Sequence, residues 1–192
     1  MAEQIYAARA EPSETVSTTS PGARFAAGLI AGIVGGVLMI GFMMAYANAR
    51  GAGLTTPLKE IGAFAYGVEA LVLGPKAILA GVLIQLGAAI MIGIFFAQFV
   101  SRGTSTFAAL CAGIAISIAI WLAMELFVLP YENPTMAARV ALMPFAYFGA
   151  HLLYGVGLGM TPTFIRAFSK EPSTRRTVNT AQTQPFLVQR SR

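Results

Sequence analysis

The 192-residue chain has no aspartate, one histidine, one cysteine and one tryptophan, and only 11% of it is charged. Each scarcity closes a class of function. Cys111 can form no intrachain disulfide and brings no second thiol to a metal. Zinc takes three or four ligands, and one histidine, one cysteine and scattered glutamates lack that spacing. A bis-histidine haem cannot be assembled within one chain, although His151 alone leaves a five-coordinate porphyrin open. No nucleophile-base-acid set, phosphate loop or paired carboxylate stands out, so the expectation is a protein without catalysis, metal or cofactor. Soluble domains are about a quarter charged, and a water-exposed surface cannot be covered at 11%.

What is present is apolar. Such residues make up 56% of the chain and gather in four runs nearly free of charge, at 25–47, 77–100, 107–129 and 143–165. About 20 residues suffice to cross a hydrocarbon layer of about 30 Å as a helix. The runs lack the alternation of barrel strands, and lipid forces the backbone to satisfy its own hydrogen bonds, so helices are expected. The fold class is therefore all-α: a polytopic membrane protein with four transmembrane helices in a bundle, surrounded by the lipid bilayer. Between the first two runs, Leu58, Ile61, Phe64 or Ala65, Val68 and Leu71 fall at helical spacing with Pro57 near the first turn, which predicts a short amphipathic helix over 57–73. It is too short to span, so it lies on the outer surface or dips back against the bundle, as a lid over a cavity or as a structural cap.

The flanks 1–24 and 166–192 are polar and rich in Ser, Thr and Pro, which predicts disordered tails. The first apolar run starts later and runs longer than a signal peptide's core, so it is read as a retained helix. Nine Lys and Arg lie on the side of the tails and the 101–105 connection, and four on the other. By the positive-inside rule both termini are cytoplasmic. The net charge of +5 follows from this placement rather than from a nucleic-acid surface.

Small residues recur four apart in every run: Gly28, Gly32 and Gly36; Ala89, Gly93 and Ala97; Ala109, Gly113 and Ser117; His151, Gly155 and Gly159. Such faces allow close backbone approach, which drives helix association where lipid removes the hydrophobic force. They serve packing within the chain, or a face left over for a second copy or a larger membrane complex. The expected function is a non-catalytic structural or accessory subunit associating through these faces. The alternative is a small transporter or sensor built on ionisable groups inside the membrane, which are costly and mark functional sites. Glu125 and His151 fall at similar depth below Pro130 and Pro144, and Gln85 in the same outer half. With Tyr154 or Tyr147 they form a candidate outward-facing polar cluster, for proton sharing, for ligand binding, or only as an interhelical lock.

The stretch "WLAMELFVLPYENPTMAARVALMPFAYFGAHLLYGVGLG", residues 121–159, resembles uncharacterised bacterial four-helix inner-membrane families, domains of unknown function. They pair a helix ending in the W...M....P pattern with a closing H-x-x-Y-G-x-x-x-G helix. The matching positions are Trp121, Met124, Pro130, His151, Tyr154, Gly155 and Gly159. The resemblance implies a bacterial inner-membrane protein and supplies no substrate. Relatives carry a second histidine where this chain has Gln85, and that departure weakens a two-histidine site here.

Overall fold

The computed structural model describes residues 20–169, so most of both polar tails lies outside the described residues. Residues 21–24 and 166–168, counted with the tails on composition, are helical. The reason is local at the first end. Ser20 caps the helix by accepting from the Ala23 amide at 3.2 Å, and Pro21 fills the first turn, where a missing N–H costs nothing.

Among the described residues all regular structure is helical. Helix α1 is Pro21–Ala49, α2 Thr56–Tyr66 followed by a 3-10 turn Gly67–Leu71, α3 Pro75–Phe99 and α4 Thr106–Ala123. A π-helical turn, Met124–Val128, carries α4 into α5, Leu129–Glu132. Then come α6 Pro134–Leu142, α7 Pro144–Gly159 and α8 Thr161–Phe168. Three continuous segments, Pro21–Ala49, Pro75–Phe99 and Thr106–Glu132, are long and apolar enough to cross a membrane. A fourth candidate exists only as a pair, Pro134–Leu142 with Pro144–Phe168, bent by 100°. The 130–142 connection is thus largely helical. Asn133 caps α6 by accepting from the Met136 amide at 3.0 Å, with Pro134 in the first turn.

Small residues set the packing. A Cβ on Gly28 would lie 2.6 Å from the Gly93 carbonyl oxygen, and one on Gly32 would lie 2.5 Å from that of Ala89, so α1 and α3 touch backbone to backbone. On α4 and α7, a Cβ at Gly113 would meet the Gly155 oxygen at 2.6 Å and one at Gly159 the Leu110 Cα at 2.7 Å. A third close approach joins α1 to α7, where Gly35 meets Tyr154 and Gly157. The packed pairs therefore run in a row, α3 on α1, α1 on α7 and α7 on α4. Helices α3 and α4 stand at its two ends and are not packed on each other. Helix α2 does not float on the surface. Gly62 and Gly81 let it press against the first turns of α3, at Ala77 and Leu58.

Candidate functional site: a chamber between α3 and α4

The unpaired ends of the row enclose a chamber of about 140 Å³. Ile84, Gln85, Ala88 and Ile92 of α3 form one wall, and Ile120, Trp121 and Met124 of the α4 segment the other. Met39 of α1 and Tyr147, His151 and Tyr154 of α7 form the back, while Ile61, Phe64, Met136 and Val140 of α2 and α6 close one end. No charged side chain contributes to these walls.

The polar groups at the back are held in defined ways. His151 is 8% exposed, and its Nδ1 lies 2.8 Å from the Tyr147 carbonyl oxygen. A carbonyl only accepts, so Nδ1 carries the proton and Nε2 keeps a lone pair. Tyr154 donates its hydroxyl to the Ala89 carbonyl at 2.8 Å, tying α7 to α3 across the chamber floor. Gln85 Nε2 reaches Met39 Sδ at 3.2 Å, a contact with a weak acceptor. The Trp121 ring meets Phe148 edge to face at 5.3 Å, and its buried Nε1 has no hydrogen-bond partner among the described residues.

Of the four polar residues grouped on sequence, the structure brings Gln85, His151 and Tyr154 to one chamber and leaves Glu125 apart. Glu125 is half-buried and makes no hydrogen bond or ion pair among the described residues. The chamber face of the α4 segment passes through Ile120, Trp121 and Met124, and Glu125, one residue on, turns about 100° away from Met124. The π turn comes after it: its Leu129 amide bonds the Met124 carbonyl, a five-residue step that returns Leu129 to the chamber face.

The buried carboxylate that sequence reasoning passed over is Glu60 on α2, 5% exposed. Its Oε1 pairs with Arg139 Nε of α6 at 3.3 Å, and its Oε2 accepts from the Tyr147 hydroxyl at 3.2 Å. The Glu60 carbonyl also accepts from Asn133 Nδ2 at 2.8 Å. Burial pushes the Glu60 carboxyl above its ordinary range, while Arg139 and the Tyr147 hydroxyl work against that rise. This network clamps α2, α6 and α7 over the closed end. Its signal in the sequence was an acidic residue on the buried side of an otherwise apolar stripe, at a position the stripe itself did not include.

Each glycine named for helix packing is spent within the chain: Gly28, Gly32 and Gly36 on α3, Gly93 on α1, Gly113 on α7, and Gly155 and Gly159 on α4. Among the described residues no three His, Cys, Asp or Glu side chains converge as a metal site would need. The chamber, at about 140 Å³, is smaller than the pockets of about 300–1,000 Å³ that hold drug-sized ligands.

The family model for DUF6789, a family of unknown function, matches residues 23–174. The chain belongs to the DUF6789 family. No curated protein and no solved structure matches it. The matched region of this DUF6789 chain contains every residue that lines the chamber.

Proposed function

We propose that this DUF6789 protein is a membrane-embedded binding protein that takes up a small, uncharged, largely apolar molecule from the bilayer. The observation that carries this reading is the convergence of Gln85, Trp121, His151 and Tyr154 on one otherwise apolar chamber. A cavity of about 150 Å³ holds a molecule the size of benzene, and a concave apolar site with a few polar groups is the usual form of a ligand pocket. Access from lipid is supported by the absence of packing between α3 and α4, the two walls.

The membrane setting rests on composition and on surface. Helix α3 exposes Leu79, Leu83, Met91, Phe95 and Phe99, each at least 60% accessible, an apolar stripe suited to lipid rather than water. Four segments cross, in this reading, with the bent pair α6 and α7–α8 as the fourth. Arg24 of α1 reaches the Gln98 carbonyl at the end of α3, and Arg166 of α8 reaches Thr106 at the start of α4. These ends therefore share a side with Arg102. The positive-inside rule makes that side the cytoplasm of a bacterial inner membrane, and the α2–α6 cap faces outward.

An accessory subunit joined through glycine faces is the weaker reading, because those faces are occupied within the chain. Gly22 and Gly41 on α1 and Gly87 on α3 remain uncovered, and none belongs to the four-residue stripes named above.

Trp121 is the only tryptophan, so its fluorescence reports the chamber alone. Bromobenzene added to the full chain in lipid nanodiscs should quench it saturably. Ala88→Phe, placed in the exposed part of the wall, should leave only the linear quenching of a probe dissolved in lipid. Linear quenching of the wild type, or saturation unaffected by Ala88→Phe, would overturn the reading.

A further inference from the structure

We infer that the end of the molecule built from the start of α1, the end of α3, the start of α4 and α8 holds anionic phospholipid headgroups, through the guanidinium groups of Arg24 and Arg166. The inference rests on the membrane setting proposed above and not on the chamber. All carboxylates among the described residues, Glu60, Glu69, Glu125 and Glu132, belong to α2, the 3-10 turn after it, the π turn and α5. The segments that form the arginine end contribute none.

Both guanidinium groups are anchored by uncharged acceptors. Arg24 Nη1 donates to the Gln98 carbonyl at 3.2 Å, and Arg166 Nη2 donates to the hydroxyls of Thr106 at 3.2 Å and Thr163 at 3.3 Å. Such partners orient a cation without cancelling its charge. Ala27, Phe96, Val100 and Ile165 belong to one buried cluster. Arg24 stands one helical turn from Ala27 and Arg166 directly after Ile165, so both arginines border that core. Arg24 Nη2 and Arg166 Nε and Nη1 have no partner among the described residues and, unlike Arg24 Nε, are not sealed from the surface. A guanidinium offers its N–H groups as a fork that matches two phosphate oxygens. Arg102, exposed in the connection between Gln98 and Thr106, adds positive charge to the same end.

The neighbours of these groups decide between a lipid and a soluble phosphate. Phe25 follows Arg24, Phe99 follows Gln98, Phe107 follows Thr106, and Phe168 lies two residues after Arg166. They are 52%, 74%, 76% and 46% exposed. A soluble anion gains nothing from these rings. A phospholipid brings a phosphate for the arginines and acyl chains for the phenylalanines in one molecule, at the level where basic and aromatic side chains meet the headgroup boundary.

The test is native mass spectrometry of the full chain in mild detergent, titrated with phosphatidylglycerol or phosphatidylcholine of identical acyl chains. Phosphatidylglycerol should bind about twentyfold more tightly, since each arginine near an anionic headgroup contributes about fivefold. Arg24→Gln and Arg166→Gln should each lower phosphatidylglycerol affinity about fivefold and leave phosphatidylcholine unchanged, while Lys76→Gln at the other end should change neither. Should the arginine variants fail to fold, the wild type still answers: raising ammonium acetate from about 0.05 to about 0.5 M should shrink the preference, because exposed charges are screened. Equal affinity for the two lipids, a preference insensitive to both salt and the arginine variants, or an equal loss in Lys76→Gln would overturn the inference. Displacement of phosphatidylglycerol by an equal concentration of glycerol phosphate would overturn it in favour of a soluble anion. Any of these results leaves the chamber reading to its own quenching test, whereas a chain that stays dispersed in buffer without detergent would remove the membrane setting from both.

Discussion

Ser117 donates its hydroxyl to the backbone oxygen of His151 at 2.6 Å, across the α4–α7 interface, and Ser117 is completely buried. The contact fixes the longitudinal register of α7 against α4 at the level where His151 meets the chamber. It also lies one turn from the Gly113–Gly155 close approach, so a hydrogen bond and a backbone contact define the same interface.

The first expected outcome concerns that bond. Ser117→Ala should lower stability in mild detergent by about 0.6–1.7 kcal/mol, the range of interhelical hydrogen bonds in bilayers. Denaturant titration of purified protein measures it. Ser117→Leu, which adds volume at a site with none to spare, should prevent the fold from forming. A Leu variant as stable as wild type would mean α4 and α7 do not meet there.

Glycine substitutions should separate packed faces from lipid faces. A Cβ at Gly155 would lie 2.6 Å from the Ile114 Cα, whereas nothing lies within 4 Å of one at Gly87. Gly155→Val should cost about 3 kcal/mol, as overpacking against backbone does, or abolish expression. Gly87→Val should be close to neutral, and the same detergent unfolding assay reads both.

Much of this architecture was legible before the structure, and the reasons are physical. A hydrophobic run long enough to span is a property of composition, so segments 25–47, 77–100 and 107–129 were visible within a few residues. The pairing of small-residue faces was half legible: their existence shows in the four-residue spacing, but which face meets which does not. The Gly35–Gly157 contact escaped because those residues fall outside the stripes. The 143–165 segment was harder, since α7 continues into α8 and follows α6 across a sharp bend at Met143, with prolines ten residues apart at 134 and 144. At the site, Gln85, His151 and Tyr154 could be grouped by counting depth along ideal helices. Glu125 could not be placed that way, because depth does not say which side of a helix a residue takes, and the chamber face passes through its neighbour Met124 instead. Glu60 needed the tertiary fold, since its partners Arg139 and Tyr147 come from distant parts of the chain.

Glu60 gives a pH dependence of defined sign. Its carboxyl titrates higher in the folded protein than the ordinary value of 4.5, because burial outweighs the help of Arg139 and Tyr147. The folded state then binds more protons than the unfolded state above that value. Stability contributed by protonated Glu60 is fully present below pH 4.5 and declines as pH rises through the folded pKa. The difference in melting temperature between wild type and Glu60→Gln, measured from pH 4 upward, should therefore move against the wild type as pH rises. A difference that moved in its favour would mean the carboxylate is held ionised by Arg139.

The chamber itself is tested most directly by locating a ligand atom. Crystals of the full chain grown in a lipidic phase with bromobenzene would reveal bromine by anomalous scattering. The expected result is one strong peak between Ala88 and Trp121, and its loss in Ala88→Phe. Bromine only along the lipid-facing stripe of α3, with the chamber closed by its own side chains, would contradict a binding role.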